Sequence, residues 1–200
     1  MAERGRPRAF DRDLALRRAM EVFWTKGYDN ASLADLTSAM GINSPSLYAA
    51  FGSKEALFNE AIVLYGKVEG PQIWDSLTSA PTAKEAISGY LRATAATFTQ
   101  PGKPAGCMVI LGVLNINDAN EGVSRALRAI RAENREVLKQ RLDEGIAAGE
   151  LAADLDTAKV AAFYVTVQQG MSIQARDGAN RETLLAIADS AMAAWEQLVG

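Results

Sequence analysis

Residues 23–62 read FWTKGYDNASLADLTSAMGINSPSLYAAFGSKEALFNEAI, and this stretch decides the fold. It contains two short segments with apolar residues at helical spacing, separated by a turn at Gly41. The first segment opens at Ser32, an N-cap residue type, and Asp35 follows three positions later as in a capping box. Two small helices joined by a tight glycine turn predict a helix-turn-helix unit.

The second helix of this unit has its own start signal. Ser44 followed by Pro45 predicts an N-cap directly before a proline at the first helical position. Leu36, Ile42 and Leu47 form the apolar triad that we expect to lock the two helices together. The polar residues at the start of the second helix then stay exposed, as a recognition helix needs in order to reach base edges in the major groove.

The rest of the chain shows helical periodicity and no period-2 run that predicts a strand. We therefore predict an all-α fold of about nine helices, with a three-helix head followed by a helical body. The domain boundaries are placed at 1–10 for a basic N-terminal arm, 11–56 for the helix-turn-helix domain and 57–200 for the body. The first helix is expected over 11–26, the fourth to end near 66–70, the longest to span 121–149, and the last two to span 157–175 and 181–198.

The residue inventory excludes several familiar chemistries. The chain has no histidine and a single cysteine, Cys107, in 200 residues. It therefore lacks the ligands of a Cys/His metal cluster and the usual general base of a hydrolase, and we expect no catalytic residue, metal or cofactor. No stretch approaches the roughly 20 apolar residues of a membrane span. We therefore expect no membrane partner. Because one thiol allows no internal disulfide, we expect a cytoplasmic protein.

A basic arm precedes the first helix, although the formal net charge of the chain is −3. Arg4, Arg6 and Arg8 lie in the sequence RGRPR, which resembles the core of minor-groove AT-hook peptides. Arginine favours the narrow, electronegative minor groove of A·T-rich DNA. We expect these three arginines to contact DNA. The alternative is a solvated tail, because chain termini are commonly disordered.

The head resembles the DNA-binding region of the TetR family of bacterial transcriptional regulators, over about residues 10–62. The remainder is similar to that family only in the number, length and order of its helices. The resemblance rests on Lys26-Gly27-Tyr28, Ser32, Gly41-Ile42, Ser46-Leu47-Tyr48, Phe51 and Lys54-Glu55-Ala56-Leu57.

The resemblance implies a homodimer that binds a pseudo-palindromic double-stranded DNA operator. It also implies that residues 57–200 are a ligand-binding and dimerisation domain, in which a small apolar or amphipathic effector triggers release of DNA, as in a repressor. Asn43, Ser44, Ser46 and Tyr48 match groove and phosphate contacts, and Tyr28, Ser32 and Lys54 match positions that clamp phosphate. Hydroxyls and amides at helix N-termini suit phosphate, because unpaired amides and the helix dipole attract anions.

The effector pocket is expected on the inward faces of the body helices, since such pockets are mostly apolar with a few polar groups. Asn134 lies inside an apolar stripe, so it either bonds another helix or contacts a ligand. Cys107 is interpreted as a small buried hydrophobe, with a thiol-sensing role as the alternative. The pocket candidates are Phe58, Ile62, Tyr65, Trp74, Tyr90, Thr94, Phe98, Met108, Leu111, Asn115, Asn134, Tyr164 and Met171.

The last two helices are apolar around more than one face, so each must be buried on more than one face. We expect a second copy of the chain to supply that surface in an isologous four-helix interface. A fully interior helix of a monomer is the alternative. The predicted interface residues are Val160, Phe163, Val167, Leu184, Ala188, Ala191, Trp195 and Leu198.

Two other classes of function remain as alternatives. A helical protein-interaction adaptor explains the apolar terminal helices but leaves the helix-turn-helix unexplained. An all-α enzyme is disfavoured, because the sequence has no Gly-rich phosphate loop and no Gly-x-Ser-x-Gly elbow.

Overall fold

The computed structural model describes residues 10–113 and 120–200. This part of the chain contains no strand, as the periodicity predicted, and it folds into ten α-helices where about nine were expected. None of its helices is both long enough and apolar enough to cross a membrane. The helices are α1 (Arg12–Asn30), α2 (Leu33–Met40), α3 (Ser44–Phe51), α4 (Lys54–Ser79), α5 (Ala83–Phe98), α6 (Met108–Leu111), α7 (Glu121–Ala147), α8 (Thr157–Arg176), α9 (Arg181–Ala193) and α10 (Trp195–Val199).

Helices α1 to α3 form the head, and the predicted triad holds them together. Leu36 of α2 and Leu47 of α3 are fully buried, and Ile42 in the turn packs against them. Phe23 of α1 lies fully buried in the same core and meets Phe58 of α4 edge-on, with 5.0 Å between the ring centroids. Gly41 adopts φ +69° at the end of α2, a left-handed cap that glycine accepts at little cost.

Gly27 breaks α1 near the position where the sequence predicted its end. Its φ of 73° and ψ of 176° interrupt the helical dihedrals, and helical geometry resumes as far as Asn30. This combination of dihedrals is essentially restricted to glycine. The break turns the last residues of α1 towards the body, where the carbonyl oxygen of Gly112 lies 3.1 Å from the position that a Cβ on Gly27 would occupy.

Helix α4 continues well beyond its predicted end near residues 66–70. It passes through Gly70 and Pro71 and ends at Ser79, so the prediction that the fourth helix ends near residues 66–70 was wrong. Ile73 and Leu77 beyond the proline are buried against the body. Their burial outweighs the loss of one helical hydrogen bond at Pro71, a case in which tertiary packing overrides local propensity.

The body is built around α5, which packs against α4, α7, α8 and α9. Tyr90, Leu91 and Phe98 of α5 are fully buried in its centre. The single helix predicted over 181–198 is divided at Ala194 into α9 and α10. Helix α7 ends at Ala147 and α8 at Arg176, close to their predicted ends.

A short segment of the body, residues 106–112, fastens the head. The indole Nε1 of Trp24 donates to the carbonyl of Gly106 over 3.0 Å. The backbone amide of Tyr28 donates to the carbonyl of Gly112 over 2.8 Å. From α8, Arg176 donates to the carbonyl of Trp24 over 3.0 Å. Helix α1 is therefore fixed at two successive turns to the segment that contains α6.

Candidate nucleic-acid interface and body cavity

Helix α3 presents one face to solvent, and it carries the predicted groove contacts. Pro45, Tyr48 and Ala49 are exposed on it, with Tyr48 45% exposed. Leu47 and Phe51 point into the head and hold the helix in place. An aromatic hydroxyl and small side chains on a protruding helix suit the major groove, where a methyl group can contact thymine.

Asn43, and not Ser44, is the N-cap of α3. Its side-chain oxygen accepts from the amide of Ser46 over 2.9 Å, and its backbone is extended. Ser44 is the first helical residue and Pro45 the second, so the predicted N-cap at Ser44 was wrong by one residue. An asparagine can cap as well as a serine can, and the sequence offered both at adjacent positions. Asn43 is exposed and Ser44 and Ser46 are partly so, which leaves all three at the start of the protruding helix.

Ser32 opens α2 with the predicted capping box. Its hydroxyl accepts from the amide of Asp35 over 3.1 Å, and the Asp35 carboxylate accepts from the amide of Ser32 over 3.0 Å. Lys26 lies 2.6 Å from the same carboxylate. Hydrogen bonds from the Lys26 ammonium and from the Ser32 side chain and backbone lower the pKa of Asp35 to about 2. Ser32 itself stays exposed.

Tyr28 and Lys54 form a stacked pair at the junction of α1 and α4. The Lys54 ammonium lies 4.5 Å from the centroid of the Tyr28 ring, a cation–π contact. Tyr28 is otherwise buried against Phe23 and Phe58. Burial raises the pKa of Tyr28, and burial lowers the pKa of Lys54. The Tyr28 ring therefore supports the head and positions the Lys54 charge at the start of α4.

The three arm arginines, Arg4, Arg6 and Arg8, lie outside the described residues. Of the arginines at the start of α1, Arg12 is already engaged. It pairs with Glu60 at 2.8 Å and lies 4.3 Å above the Phe51 ring. Its guanidinium therefore connects α1 to α3 and α4.

The body contains a cavity of about 80 Å³ between α4, α7 and α8, closed on one side by residues 107–110. Three of the predicted pocket residues line it: Tyr65, Trp74 and Asn134. A predicted residue, Asn115, lies outside the described residues. The lining consists of Tyr65, Gly66, Glu69, Gly70, Ile73, Trp74, Cys107, Val109, Ile110, Ile130, Arg131, Asn134, Val165, Gln168 and Gln169.

The other predicted pocket residues do not line this cavity, because they pack in the interior of the body and the head–body junction. Phe58, for example, is covered by the rings of Phe23 and Tyr28, and Tyr164 packs against Trp195. These buried residues are Phe58, Ile62, Tyr90, Thr94, Phe98, Met108, Leu111, Tyr164 and Met171.

Sequence reasoning missed Glu69, Arg131 and Gln168, which line the cavity beside the predicted residues. The pocket candidates are mainly apolar and aromatic residues and include no charged side chain. A signal was nevertheless present, because Arg131 adjoins Ile130 and lies three residues before Asn134 on α7. Residues at this spacing share one helix face. The polar Asn134 in an apolar stripe therefore indicated that Arg131 lies on the same face.

Cys107 is buried beside this cavity, immediately before α6. Burial raises the pKa of its thiol, and a hydrogen bond with Tyr65 and the amides of Ile110 and Val109 act in the opposite direction. The raised pKa keeps the sulfur protonated and weakly nucleophilic. This fits the interpretation of Cys107 as a small hydrophobe in the cavity wall.

The predicted dimer residues divide into two groups. Within a single chain, five of them are already buried: Val160, Leu184, Ala188, Ala191 and Trp195. The physical reason is that α9 packs on both α5 and α8, so these side chains cannot offer a free surface. Phe163, Val167 and Leu198 keep part of their surface exposed. Ile173, which the prediction did not include, is 46% exposed on the outer face of α8.

Two family models match this architecture. One, described as bacterial regulatory proteins of the tetR family, matches residues 15–61. The other, described as a tetracyclin repressor-like C-terminal domain, matches residues 83–191. The residues between the two matches, 62–82, comprise the rest of α4 and the short connection to α5.

Relatives match over nearly the whole chain. The HTH-type transcriptional repressor ComR of Escherichia coli strain K12 is 36% identical over 197 residues, which are 98% of this chain and 94% of ComR. The HTH-type transcriptional repressor BdcR of the same strain is 32% identical over 184 residues, 92% of this chain and 88% of BdcR.

A solved structure agrees closely with the fold. It is a cysteine mutant of the TetR family transcriptional regulator CifR, complexed with a 26-base-pair double-strand operator DNA. Its sequence identity is 51%, its TM-score is 0.92, and the match covers 96% of this chain and 100% of CifR. The function of this chain is accordingly transcriptional regulation through a DNA-binding head, and it is not an enzyme. The chain belongs to the tetR family of bacterial regulatory proteins.

Proposed function

We propose that this chain is a dimeric repressor that binds a palindromic operator and releases it when a small molecule enters the body cavity. The observation that carries the proposal is the outward face of α3, where Pro45, Tyr48 and Ala49 are exposed beside the cap of Asn43. The CifR relative with this fold is complexed with operator DNA, and ComR and BdcR are named repressors.

The contacts with DNA follow from the chemistry of the head. Tyr48 and Asn43 reach the major groove, and Ser44 and Ser46 bond to phosphates or base edges near the start of α3. Ser32 at the start of α2 and Lys54 at the start of α4 bind flanking phosphates, where helix N-termini attract anions. Tyr28 acts mainly by holding Lys54, since its ring is buried beneath the ammonium.

Dimerisation uses the outer face of α8. Phe163, Val167, Gly170 and Ile173 follow one another at helical spacing and are at least partly exposed. Nothing lies within 4 Å of the position of a Cβ on Gly170, so this stretch allows close approach of a second helix. The same face of a second copy completes a symmetric interface.

Effector response is supported by the connection between cavity and head. Cys107, Val109 and Ile110 line the cavity, while the carbonyls of Gly106 and Gly112 on the same segment bind Trp24 and Tyr28 of α1. A ligand that displaces this segment changes the position of α1, and with it the spacing of the two recognition helices. A ligand that binds the released conformation more tightly shifts the population towards it.

The basic arm adds affinity that does not depend on the cavity. Arg4, Arg6 and Arg8 enter the minor groove beside the operator and release counterions from phosphates. Deleting residues 1–8 is then expected to weaken binding and to reduce the salt slope by up to roughly 3. Unchanged affinity and slope would show that the arm is only a solvated tail.

The test is binding of the purified chain to double-stranded DNA from the region upstream of its own gene, measured by fluorescence anisotropy at several salt concentrations. The expected result is salt-sensitive binding of two chains per palindrome and loss of affinity for a scrambled duplex. A chain that binds both duplexes equally, or neither, would contradict the proposal. We place this function in the bacterial cytoplasm, where the nucleoid supplies the operator.

A further inference from the structure

Arg131 lines the cavity with a positive charge that no carboxylate of the described residues pairs with. Its Nη1 donates to the carbonyl of Val109 over 2.9 Å. Among residues 10–113 and 120–200, no carboxylate lies within ion-pair distance of it. Burial lowers the pKa of Arg131, and the neighbouring charge of Arg128 lowers it further. Its positive charge is therefore not compensated by the described chain.

The other charges at the cavity compensate each other. Glu69 is only 3% exposed, and both of its carboxylate oxygens lie 2.8 Å from the Lys103 ammonium. This pair contributes no net charge. The cavity as a whole therefore has one excess positive charge, located at Arg131.

Two side-chain amides reinforce the polar side of the cavity. Gln168 is 5% exposed and lines the cavity from α8, and Asn134 lines it from α7, one turn beyond Arg131. Within the described residues, neither side chain has a hydrogen-bond partner. Asn134 is only partly buried, and no polar atom of either amide is among the fully enclosed atoms without a partner. Their donors are available to an occupant of the cavity.

We infer that the cavity binds a small organic carboxylate, held by Arg131, Asn134 and Gln168, with its apolar end against Ile73, Trp74 and Val165. This inference rests on the proposed function, in which the cavity takes the effector. A planar guanidinium fork matches a carboxylate in geometry as well as in charge. One excess positive charge selects a monoanion over a phosphate dianion, because a second negative charge would be buried without a partner.

The size of the cavity limits the ligand. A cavity of about 150 Å³ holds benzene, so about 80 Å³ accepts roughly three or four non-hydrogen atoms, with the remainder in the mouth. Propionate, with five non-hydrogen atoms, fits if one or two of them lie in the mouth of the cavity. A cationic ligand is disfavoured by Arg131, and a neutral one leaves the guanidinium charge without a partner.

The test compares ligands that differ only in charge. The melting temperature and operator affinity of the full chain are measured with millimolar propionate, propionamide and propylamine at matched ionic strength. Propionate is expected to raise the melting temperature progressively with its concentration, whereas the amide and the amine leave it unchanged. Equal effects of propionate and propionamide, or no effect of propionate, would overturn the inference.

Variants locate the site. Arg131→Gln is expected to reduce propionate affinity about tenfold or more, because it removes a charged hydrogen bond. Arg125→Gln, at an exposed position of α7 that pairs with Glu121, is expected to leave it unchanged. Asn134→Leu weakens propionate binding without removing charge. Folding of each variant is checked by its unliganded melting temperature and operator affinity. Should Arg131→Gln fail to fold, the comparison of ligands on the unmodified chain still decides the outcome.

The outcomes separate this inference from the proposed function. Binding of neutral apolar compounds with concomitant release of DNA, but no effect of carboxylates, would overturn the carboxylate inference and leave effector response intact. If neither neutral apolar compounds nor carboxylates had any effect while operator binding was normal, effector response would be overturned as well. Propionate binding that persists in Arg131→Gln would place the ligand elsewhere and contradict the site.

Discussion

The backbone amide of Tyr28 donates to the carbonyl of Gly112 over 2.8 Å, and this bond joins the end of α1 to the residue after α6. It forms where Gly27 breaks the helix with φ +73°. The head thus meets the body through this backbone bond as well as through the side-chain hydrogen bonds of Trp24 and Arg176. The backbone dihedrals at the junction require a glycine at position 27.

Replacing Gly27 by alanine is therefore expected to damage both stability and coupling. A Cβ at this position lies 3.1 Å from the Gly112 carbonyl oxygen, and the dihedrals are nearly restricted to glycine. We expect Gly27→Ala to lower the free energy of unfolding by about 1–3 kcal/mol, measured by urea denaturation.

Gly66→Ala is the matched control, since Gly66 is exposed inside α4 with nothing within 4 Å of its Cβ position. There the same change is expected to stabilise the protein by about 0.5–1 kcal/mol. A Gly27→Ala protein as stable as the unmodified chain would contradict the strained junction.

Asn43 allows the capping role and the DNA role to be separated. Asn43→Asp keeps an oxygen that accepts from the Ser46 amide, and aspartate caps as well as asparagine does. The melting temperature is then expected to stay within a few degrees, whereas operator affinity falls about tenfold or more, because the new charge faces phosphates.

Asn180→Asp provides the control for this change. Asn180 is the N-cap of α9 and accepts from the Thr183 amide over 2.9 Å, outside the head. Its substitution is expected to leave operator affinity unchanged. Equal affinity losses in the two variants would show that Asn43 does not face DNA.

The head was predictable from sequence because its signals are local. The capping box at Ser32, the glycine turn at Gly41 and the triad of Leu36, Ile42 and Leu47 each act within a few residues, and all agree. The error of one residue at the α3 cap arose because Asn43 and Ser44 are both good N-cap types. Local chemistry alone does not choose between them.

The cavity was not predictable in the same way. Periodicity identifies buried positions such as Tyr90 and Phe98, but a void depends on how side chains from different helices fail to fill space. Extension of α4 past Pro71 places Ile73 and Trp74 beside α7 and α8. Trp74 was predicted as a pocket residue, but the helical extension that brings it and Ile73 to the cavity was not, because that extension depends on tertiary burial.

The pKa of Asp35 gives a pH dependence with a defined sign. Its pKa is about 2 in the folded state and near 3.8 ordinarily, so the unfolded state binds the proton more readily. The contribution of Asp35 to stability is then complete above about pH 4 and is lost as the pH falls towards 2. NMR titration of the Asp35 carboxyl carbon measures this pKa directly.

Lys26→Gln tests the cause of that shift. Hydrogen bonding to the Lys26 ammonium is its largest contribution, so the Asp35 pKa is expected to rise towards 3.8 in this variant. The capping bonds from Ser32 remain, and the rise is therefore incomplete. An unchanged Asp35 pKa in Lys26→Gln would assign the shift to the cap alone.

The dimer face of α8 predicts the effect of a buried charge. Ile173 is 46% exposed in the single chain, and in the proposed interface it contacts a second copy. Ile173→Glu places an unpaired carboxylate there, which is costly when buried. Sedimentation is expected to show monomers, and operator affinity is expected to fall more than tenfold, because a monomer engages one half-site at a time.

Val63→Glu is the matched control, since Val63 is 58% exposed on α4 beside the head. The Val63→Glu protein is expected to remain dimeric. A dimeric Ile173→Glu protein with unchanged affinity would exclude this face of α8 as the interface.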